Sequence, residues 1–206
     1  LEGAPPAQRY TDEEQRALSG RFLDPISNSV LTVTFEGGQA RHTFLSGAVG
    51  YLMRSQDGFS SWPYAVGEPL RLRLGNRGLE ANIADWNEFR AMTRIGDDYR
   101  APSADTAALS GAYYSPTYGS IYHIDPIPEG LQLRINAGAR HSDVYALTAL
   151  AQDVYEAEQT CKVCTFDNMK FQLVVQRSNA GEVTGLMINA NNVRGFEIDR
   201  IKQGAL

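Results

Sequence analysis

Leu18-Ser19-Gly20-Arg21-Phe22-Leu23-Asp24-Pro25 returns 91 residues later as Leu109-Ser110-Gly111-Ala112-Tyr113-Tyr114-Ser115-Pro116. The stretches a few residues beyond each octet match in kind as well, Ser29-Val30-Leu31-Thr32-Val33 against Ser120-Ile121-Tyr122-His123-Ile124. Repetition at a fixed spacing is the mark of one structural plan used twice. Each copy is preceded by a short helix-like run. The first, Thr11 to Ala17, carries a capping-box pattern with Thr11 as N-cap and Glu14 three residues on. The second is Ser103 to Ala108, after a linker from Gly96 to Pro102. Both copies close on a strand ending Arg-Ile, at Arg94-Ile95 and at Arg200-Ile201.

Between these anchors the chain reads as short strands and turns. Leu70-Arg71-Leu72-Arg73-Leu74 and Leu131-Gln132-Leu133-Arg134-Ile135 alternate strictly, the period of a strand with one buried face. Phe171 to Val175, the turn Ser178-Asn179-Ala180-Gly181 and Val183 to Ile188 read as a hairpin. Further turns are expected at Glu36-Gly37-Gly38, Asp57-Gly58, Asn76-Arg77-Gly78 and Glu129-Gly130. Strands at such intervals without a long helix predict an all-β chain of two tandem antiparallel up-and-down β-barrels, each preceded by a short helix. The expected divisions are an N-terminal segment 1–17, a first barrel 18–96, a linker with helix 97–108 and a second barrel 109–202. Leu18 to Ile95 is 78 residues and Leu109 to Ile201 is 93. The excess of 15 is expected as an inserted rim loop near Glu156 to Lys170, where the sequence turns polar and irregular.

Composition narrows the function classes. Of the 206 residues, 19 are basic and 24 acidic, a net charge of −5, which lacks the positive field of a nucleic-acid surface or a polybasic membrane patch. Hydrophobic residues at 43 % suffice for a packed core. The longest apolar stretches are about six residues, as at Ala48 to Met53, too short for a membrane-spanning helix. Leu1 to Gln8 lacks the charged start and apolar run of a signal peptide. With no initiator Met, the chain is expected to be a processed product or a piece of something longer.

The pattern Leu109 to Pro116, together with Gly181-Glu182-Val183-Thr184-Gly185-Leu186 and Val193-Arg194-Gly195-Phe196, resembles the lipocalin-like β-barrel that follows the catalytic domain in penicillin-recognising serine hydrolases. Two such barrels in succession most resemble the C-terminal half of the D-aminopeptidases. These are β-lactamase-like enzymes that remove D-amino acids from the amino ends of peptides and amides. The resemblance spans Leu18 to Ile201. It implies a partner, a β-lactamase-like catalytic domain in the same parent chain, and leaves self-association open. The family's nucleophile is the Ser of Ser-x-x-Lys, activated by the neighbouring Lys with help from a Tyr. Here the residues three before Lys162, Lys170 and Lys202 are Gln159, Asp167 and Asp199, so no catalytic residue is assigned. The resemblance also implies that a loop of the second barrel reaches the catalytic cleft and limits substrate size. By position its counterpart is 156–168, with Glu156, Gln159, Cys161, Lys162, Cys164, Phe166, Asp167 and Asn168 as the cleft residues. On this reading the chain itself is an accessory region; a free-standing barrel holding one small ligand is the rival.

Other chemistry finds little support. No Gly-x-Ser-x-Gly elbow, metal-binding His-Glu-x-x-His or phosphate-binding Gly-rich loop is present, and no cofactor is expected. His42, His123 and His141 are scattered and read as barrel or surface residues. Cys161-Lys162-Val163-Cys164 supplies two of the four ligands that zinc takes, and no helix is predicted to activate a redox thiol there. Two free loop thiols and a local Cys161–Cys164 disulfide stay open. The aromatics Tyr113, Tyr114, Tyr118 and Tyr122, with Trp62-Pro63-Tyr64 and Trp86, read either as core packing or as a docking surface.

Overall fold

Thr11 opens the first copy as predicted. Its hydroxyl accepts from Glu14 N–H at 3.1 Å and the Glu14 carboxylate accepts from Thr11 N–H at 2.8 Å, capping helix α1 (Asp12–Leu18). The computed structural model describes residues 8–44, 49–62, 70–83, 88–136, 142–160, 170–190 and 193–202. The chain divides into two units, Leu1–Asp97 and Asp98–Leu206.

In the first unit the strands are β1 (Gly20–Leu23), β2 (Val30–Glu36), β3 (Gln39–Phe44), β4 (Val49–Ser55), β5 (Gly58–Trp62), β6 (Leu70–Gly75), β7 (Gly78–Ile83), β8 (Arg90–Ala91) and β9 (Thr93–Ile95). Consecutive strands pair antiparallel from β1 to β8, and β9 returns to pair with β1. Only Met92 separates β8 from β9, and its N–H donates to Leu79 O at 2.9 Å. Arg90 to Ile95 therefore bridges both edges of the sheet, which forms a nearly closed barrel. The second unit starts with α2 (Ser103–Leu109) and continues as β10 (Gly111–Ser115), β11 (Ser120–Ile127), β12 (Gly130–Asn136), β13 (Ser142–Ala151), β14 (Val154–Gln159), β15 (Lys170–Arg177), β16 (Val183–Ala190) and β17 (Val193–Arg200). These eight strands close fully, β17 pairing with β10. Both barrels are antiparallel and up-and-down, and the chain is all-β apart from its two short helices.

The repeated octet acquires a physical reading residue by residue. Leu18 and Leu109 end their helices fully buried in the two cores. Phe22 and Tyr113, on the first strands, lie beneath an arginine from the last: Arg94 stands 4.8 Å over the Phe22 ring and Arg200 5.8 Å over the Tyr113 ring. The same guanidinium groups donate to the carbonyls that end each helix. Arg94 reaches Arg16 O and Ala17 O at 2.9 Å and also Ser19 O; Arg200 reaches Ala108 O at 2.7 Å and Ser110 O at 2.9 Å. Helix-end carbonyls lack intrahelical donors and sit at the negative end of the dipole, so a cation there serves twice. Gly20 and Gly111 are required by this arrangement. Both have positive φ (125° and 148°), and a Cβ at Gly20 would stand 2.8 Å from an Arg94 nitrogen.

The last two positions of the octet make the β1–β2 and β10–β11 turns. Asp24, fully buried, accepts from Ser27 N–H at 2.9 Å, Ser27 Oγ at 2.6 Å and Arg90 at 3.4 Å. Ser115 Oγ accepts from Tyr118 N–H at 3.2 Å. Asn28 and Gly119 occupy the same left-handed position, φ 55° and 63°, and donate to Asp24 O and Ser115 O, both at 2.8 Å.

Large side chains occupy both interiors. The first core includes Phe22, Leu31, Leu52, Phe59, Leu72 and Met92; the second includes Tyr113, Tyr122, Tyr145, Tyr155, Phe171 and Leu173. Burial pushes the phenols of Tyr113 and Tyr155 up to about 12. The alternation at Leu70, Leu72, Leu131, Leu133, Leu173 and Val175 does put these residues in the cores, with Ile135 packed against the second. Leu74 departs from it. At the end of β6, beyond the core, it is 41 % exposed.

The extra length of the second copy sits elsewhere than expected. β13 has ten residues where β4 has seven, and β15 and β16 have eight each where β6 and β7 have six. The β14–β15 connection, 160–169, is only three residues longer than its counterpart 63–69 between β5 and β6. The second barrel is thus taller, because its strands are longer, and Glu156 to Gln159 belong to β14 and not to a loop.

The arginine clamp should be measurable. Arg200→Met leaves Ala108 O and Ser110 O without their charged donor and is expected to destabilise the second barrel by about 2–3 kcal/mol. Arg134→Met, which removes an ion pair with Asp125 whose partners are both 42 % exposed, should change stability by less than about 1 kcal/mol. Urea unfolding of the two variants against the parent chain reads the difference.

Candidate functional site

An up-and-down barrel collects alternate connections at the same rim. In the second barrel one rim gathers 116–119, 137–141, 160–169 and 191–192; the other gathers α2 and the turns at 128–129, 152–153 and 178–182. The α2 rim is tied shut. Arg177 donates to both Asp153 carboxylate oxygens at 2.7–3.0 Å, to Asp105 of α2 at 3.3 Å and to Gly181 O at 2.9 Å. The other rim is therefore the functional candidate.

Its floor is aromatic. Tyr118 packs on Phe196 with ring centroids 4.9 Å apart, and Tyr145 packs edge-on against Phe171 at 4.9 Å. Tyr145 and Phe171 are buried, whereas Tyr118 is 63 % exposed. The tyrosine-rich stretch separates by strand alternation: Tyr113 and Tyr122 pair across β10 and β11 inside the core, while Tyr114 and Ile121 pair on the outer face and are partly exposed. Phe171 continues the inward alternation of Leu173 and Val175 and packs in the second core. The tilted Tyr118–Phe196 contact joins residues 78 positions apart and has no local signal.

Of the residues assigned to the cleft loop, Glu156 and Gln159 are in β14. Gln159 pairs with Tyr145 near the start of β13, on the core side of the alternation, and Thr160 N–H continues the pairing by donating to Val144 O at 2.9 Å. Glu156 and Glu158 share the outer face, where Lys170 Nζ lies 3.1 Å from each. Burial pulls the Lys170 ammonium down, but its hydrogen bonds and attraction to the two carboxylates outweigh this and hold it above the ordinary lysine value. Cys161, Lys162, Cys164, Phe166, Asp167 and Asn168, and with them a Cys161–Cys164 pairing, lie outside the described residues. So do His141, Pro63, Tyr64 and Trp86. Among the described residues there is no group of three or more His, Cys, Asp or Glu placed to hold a metal ion.

Of the two described histidines, His42 has the unusual surroundings. It is on β3 opposite Val33 and Gly50, on the face shared with Ala40 of the core. Both ring nitrogens are buried without a hydrogen-bond partner. Its ring occupies the space a side chain at residue 50 would fill, since a Cβ there would stand 2.3 Å from Nε2. Burial lowers the imidazole from 6.5 to about 4. It acts as a structural residue of the first barrel, held neutral.

Comparison with protein-family models and with curated proteins finds nothing that matches this chain.

The state of His42 sets a pH dependence. The unfolded chain takes up the proton near pH 6.5 and the folded chain only near 4, so between these values the unfolded state binds more protons. The contribution of the neutral ring is complete above pH 6.5 and is lost as pH falls towards 4, reaching about 3 kcal/mol. In His42→Leu this part of the profile should vanish. Unfolding free energies of parent and variant, compared at pH 7.5, 5.5 and 4.5, check it through their difference, which cancels the carboxylates common to both.

Proposed function

We propose that the tandem barrels are a non-catalytic accessory region of a serine peptidase or amidase of the D-aminopeptidase type. They buttress its β-lactamase-like catalytic domain, and the 160–169 connection of the second barrel borders its substrate cleft. The observation that carries this reading is the pair of interiors occupied by large aromatic and aliphatic side chains. A barrel that carries a ligand inside needs room there; a barrel filled to its axis offers its rims and outer faces. One rim of the second barrel is locked by Arg177, which leaves the rim with Tyr118, Phe196 and the 160–169 connection as the one to present to a neighbour. The likeness of the octet and of Gly181 to Leu186 to the barrels of that family supplies the identity of the neighbour.

The test uses the whole product of the reading frame that encodes this chain. A catalytic domain with Ser-x-x-Lys is expected in it, and the purified product should hydrolyse amides of D-alanine. A frame without such a domain, or a product inert towards D-amino-acid amides, overturns the hydrolase reading. Replacing residues 161–168 by two glycines should raise kcat/KM for a D-alanyl tripeptide relative to D-alanine amide by roughly tenfold, as removal of a steric restriction does. An unchanged ratio removes the cleft role of the loop while leaving the hydrolase reading in place.

A further inference from the structure

Three successive residues ahead of α1 are tied to the end of β4. The Gln8 side chain accepts from Arg54 N–H at 2.6 Å, and Arg9 O accepts from the Arg54 guanidinium at 3.1 and 3.3 Å. The Tyr10 hydroxyl donates to Leu52 O at 2.5 Å, and Tyr10 O accepts from Gln15 Nε2 at 3.3 Å. The Tyr10 ring enters the α1 rim of the first barrel and packs against its core. It lies edge-on to Phe35, with centroids 5.1 Å apart, and stacks on Phe59 at 5.8 Å. The Arg54 guanidinium stands 5.7 Å from both the Tyr10 and the Phe59 rings, and Glu14 pairs with it at 2.5 Å.

The common plan of the two copies does not call for this ring. The counterpart of Tyr10, 91 residues on and likewise two residues before its helix, is Ala101, which packs against the second core with a methyl group alone. In the first copy a phenol stands there, and with it come two aromatic walls, an acceptor for the hydroxyl and donors for the carbonyls on either side. Apolar walls with a few placed polar groups are how a protein holds a small ligand. Tyr10 is half-buried and Arg9 is exposed, so this segment lies on the surface and leaves the rim without unpairing a strand.

We infer that the α1 rim of the first barrel is a binding site for a tyrosine within a peptide, and that Tyr10 fills it as an intramolecular ligand. Phe35 and Phe59 take the ring and Leu52 O takes the hydroxyl. Arg54 and Gln15 hold the carbonyls before and after the tyrosine. A phenylalanine in the same place leaves Leu52 O without its donor, and a site built around a hydroxyl discriminates against ligands that lack it. A free phenol keeps the ring and hydroxyl but has neither carbonyl. An incoming peptide competes with Tyr10, whose short tether gives it an effective concentration on the order of millimolar. The inference stands apart from the hydrolase reading, because it concerns the first barrel and is tested on the chain alone.

Tyr10→Ala in the full chain vacates the site, and isothermal titration with the peptide acetyl-Gln-Ala-Tyr-Thr-amide tests it. One site should saturate, and the analogue with Phe in place of Tyr should bind roughly tenfold more weakly. The parent chain should also bind the tyrosine peptide at least roughly tenfold more weakly than the variant, because its own Tyr10 competes. Absence of saturation of the variant up to about 10 mM overturns the site. Equal binding by parent and variant places the peptide elsewhere and overturns it too, and p-cresol binding as tightly as the peptide overturns the peptide assignment. Tyr10→Phe, which keeps the ring, decides the matter should Tyr10→Ala fail to fold. Trypsin cuts after Arg9, and loss of the hydroxyl should speed that cut by roughly tenfold, since cleavage follows the population of the released segment. A cut at the parent rate overturns the site.

Discussion

One guanidinium group per barrel joins the start of the sheet to its end. Arg94 and Arg200 come from the last strands, cover the aromatic of the first, and neutralise the helix-end carbonyls that lead into it. That placement imposes three requirements. The helix must end at a buried Leu, so that its carbonyls face the arginine. The next strand must begin with Gly, because the guanidinium lies where a side chain would start. The aromatic must come two residues later, so that alternation turns it inward under the cation. The octet Leu18 to Pro25 and its repeat are the sequence record of this constraint, which explains why Leu, Ser, Gly and Pro return while the residues between them vary.

The two copies meet the constraint with different tightness. The second barrel closes with β17 paired to β10, and Arg200 is half-buried among its carbonyls. The first closes through Met92, where a single strand changes partners from β7 to β1, and Arg94 is exposed. The first copy also places polar groups in unusual positions: Asp24 buried beside Arg90, and His42 facing the core. Buried polar groups are expensive unless satisfied. Asp24 is satisfied by Ser27 and Arg90. His42 is accommodated by losing its charge.

How far this was legible in the sequence depends on the range of the forces involved. Everything governed by neighbours within about five residues could be read directly: the Thr11–Glu14 cap, the hairpin turns at Gly37-Gly38 and Gly130, the alternation at Leu131 to Ile135. The repeat then converted local signals into a global statement, since two copies of one strand pattern need two closed sheets. What could not be read was set by register between distant strands. The 15-residue excess looked like an insertion because residues 156–170 are polar, but Glu156, Glu158 and Lys170 are polar as the outer face of a paired strand. The same composition serves a loop or a solvated ladder, and only the pairing decides. The Tyr118–Phe196 contact is likewise a consequence of register.

Register also explains why function in such a pair is expected at seams and rims rather than at the axis. Once Tyr113, Tyr122, Tyr145, Tyr155 and Phe171 share one interior, enlarging it means removing several large side chains together, each worth a few kcal/mol of packing. Changing a rim connection or an outward side chain asks for much less, because neither disturbs the shared interior. A duplicated barrel can therefore vary its rims and outer faces without endangering either core. The exposed Tyr118 at the rim of the second barrel, set against Phe196 and outside the interior that Tyr145 and Phe171 fill, has the form that this asymmetry of costs favours.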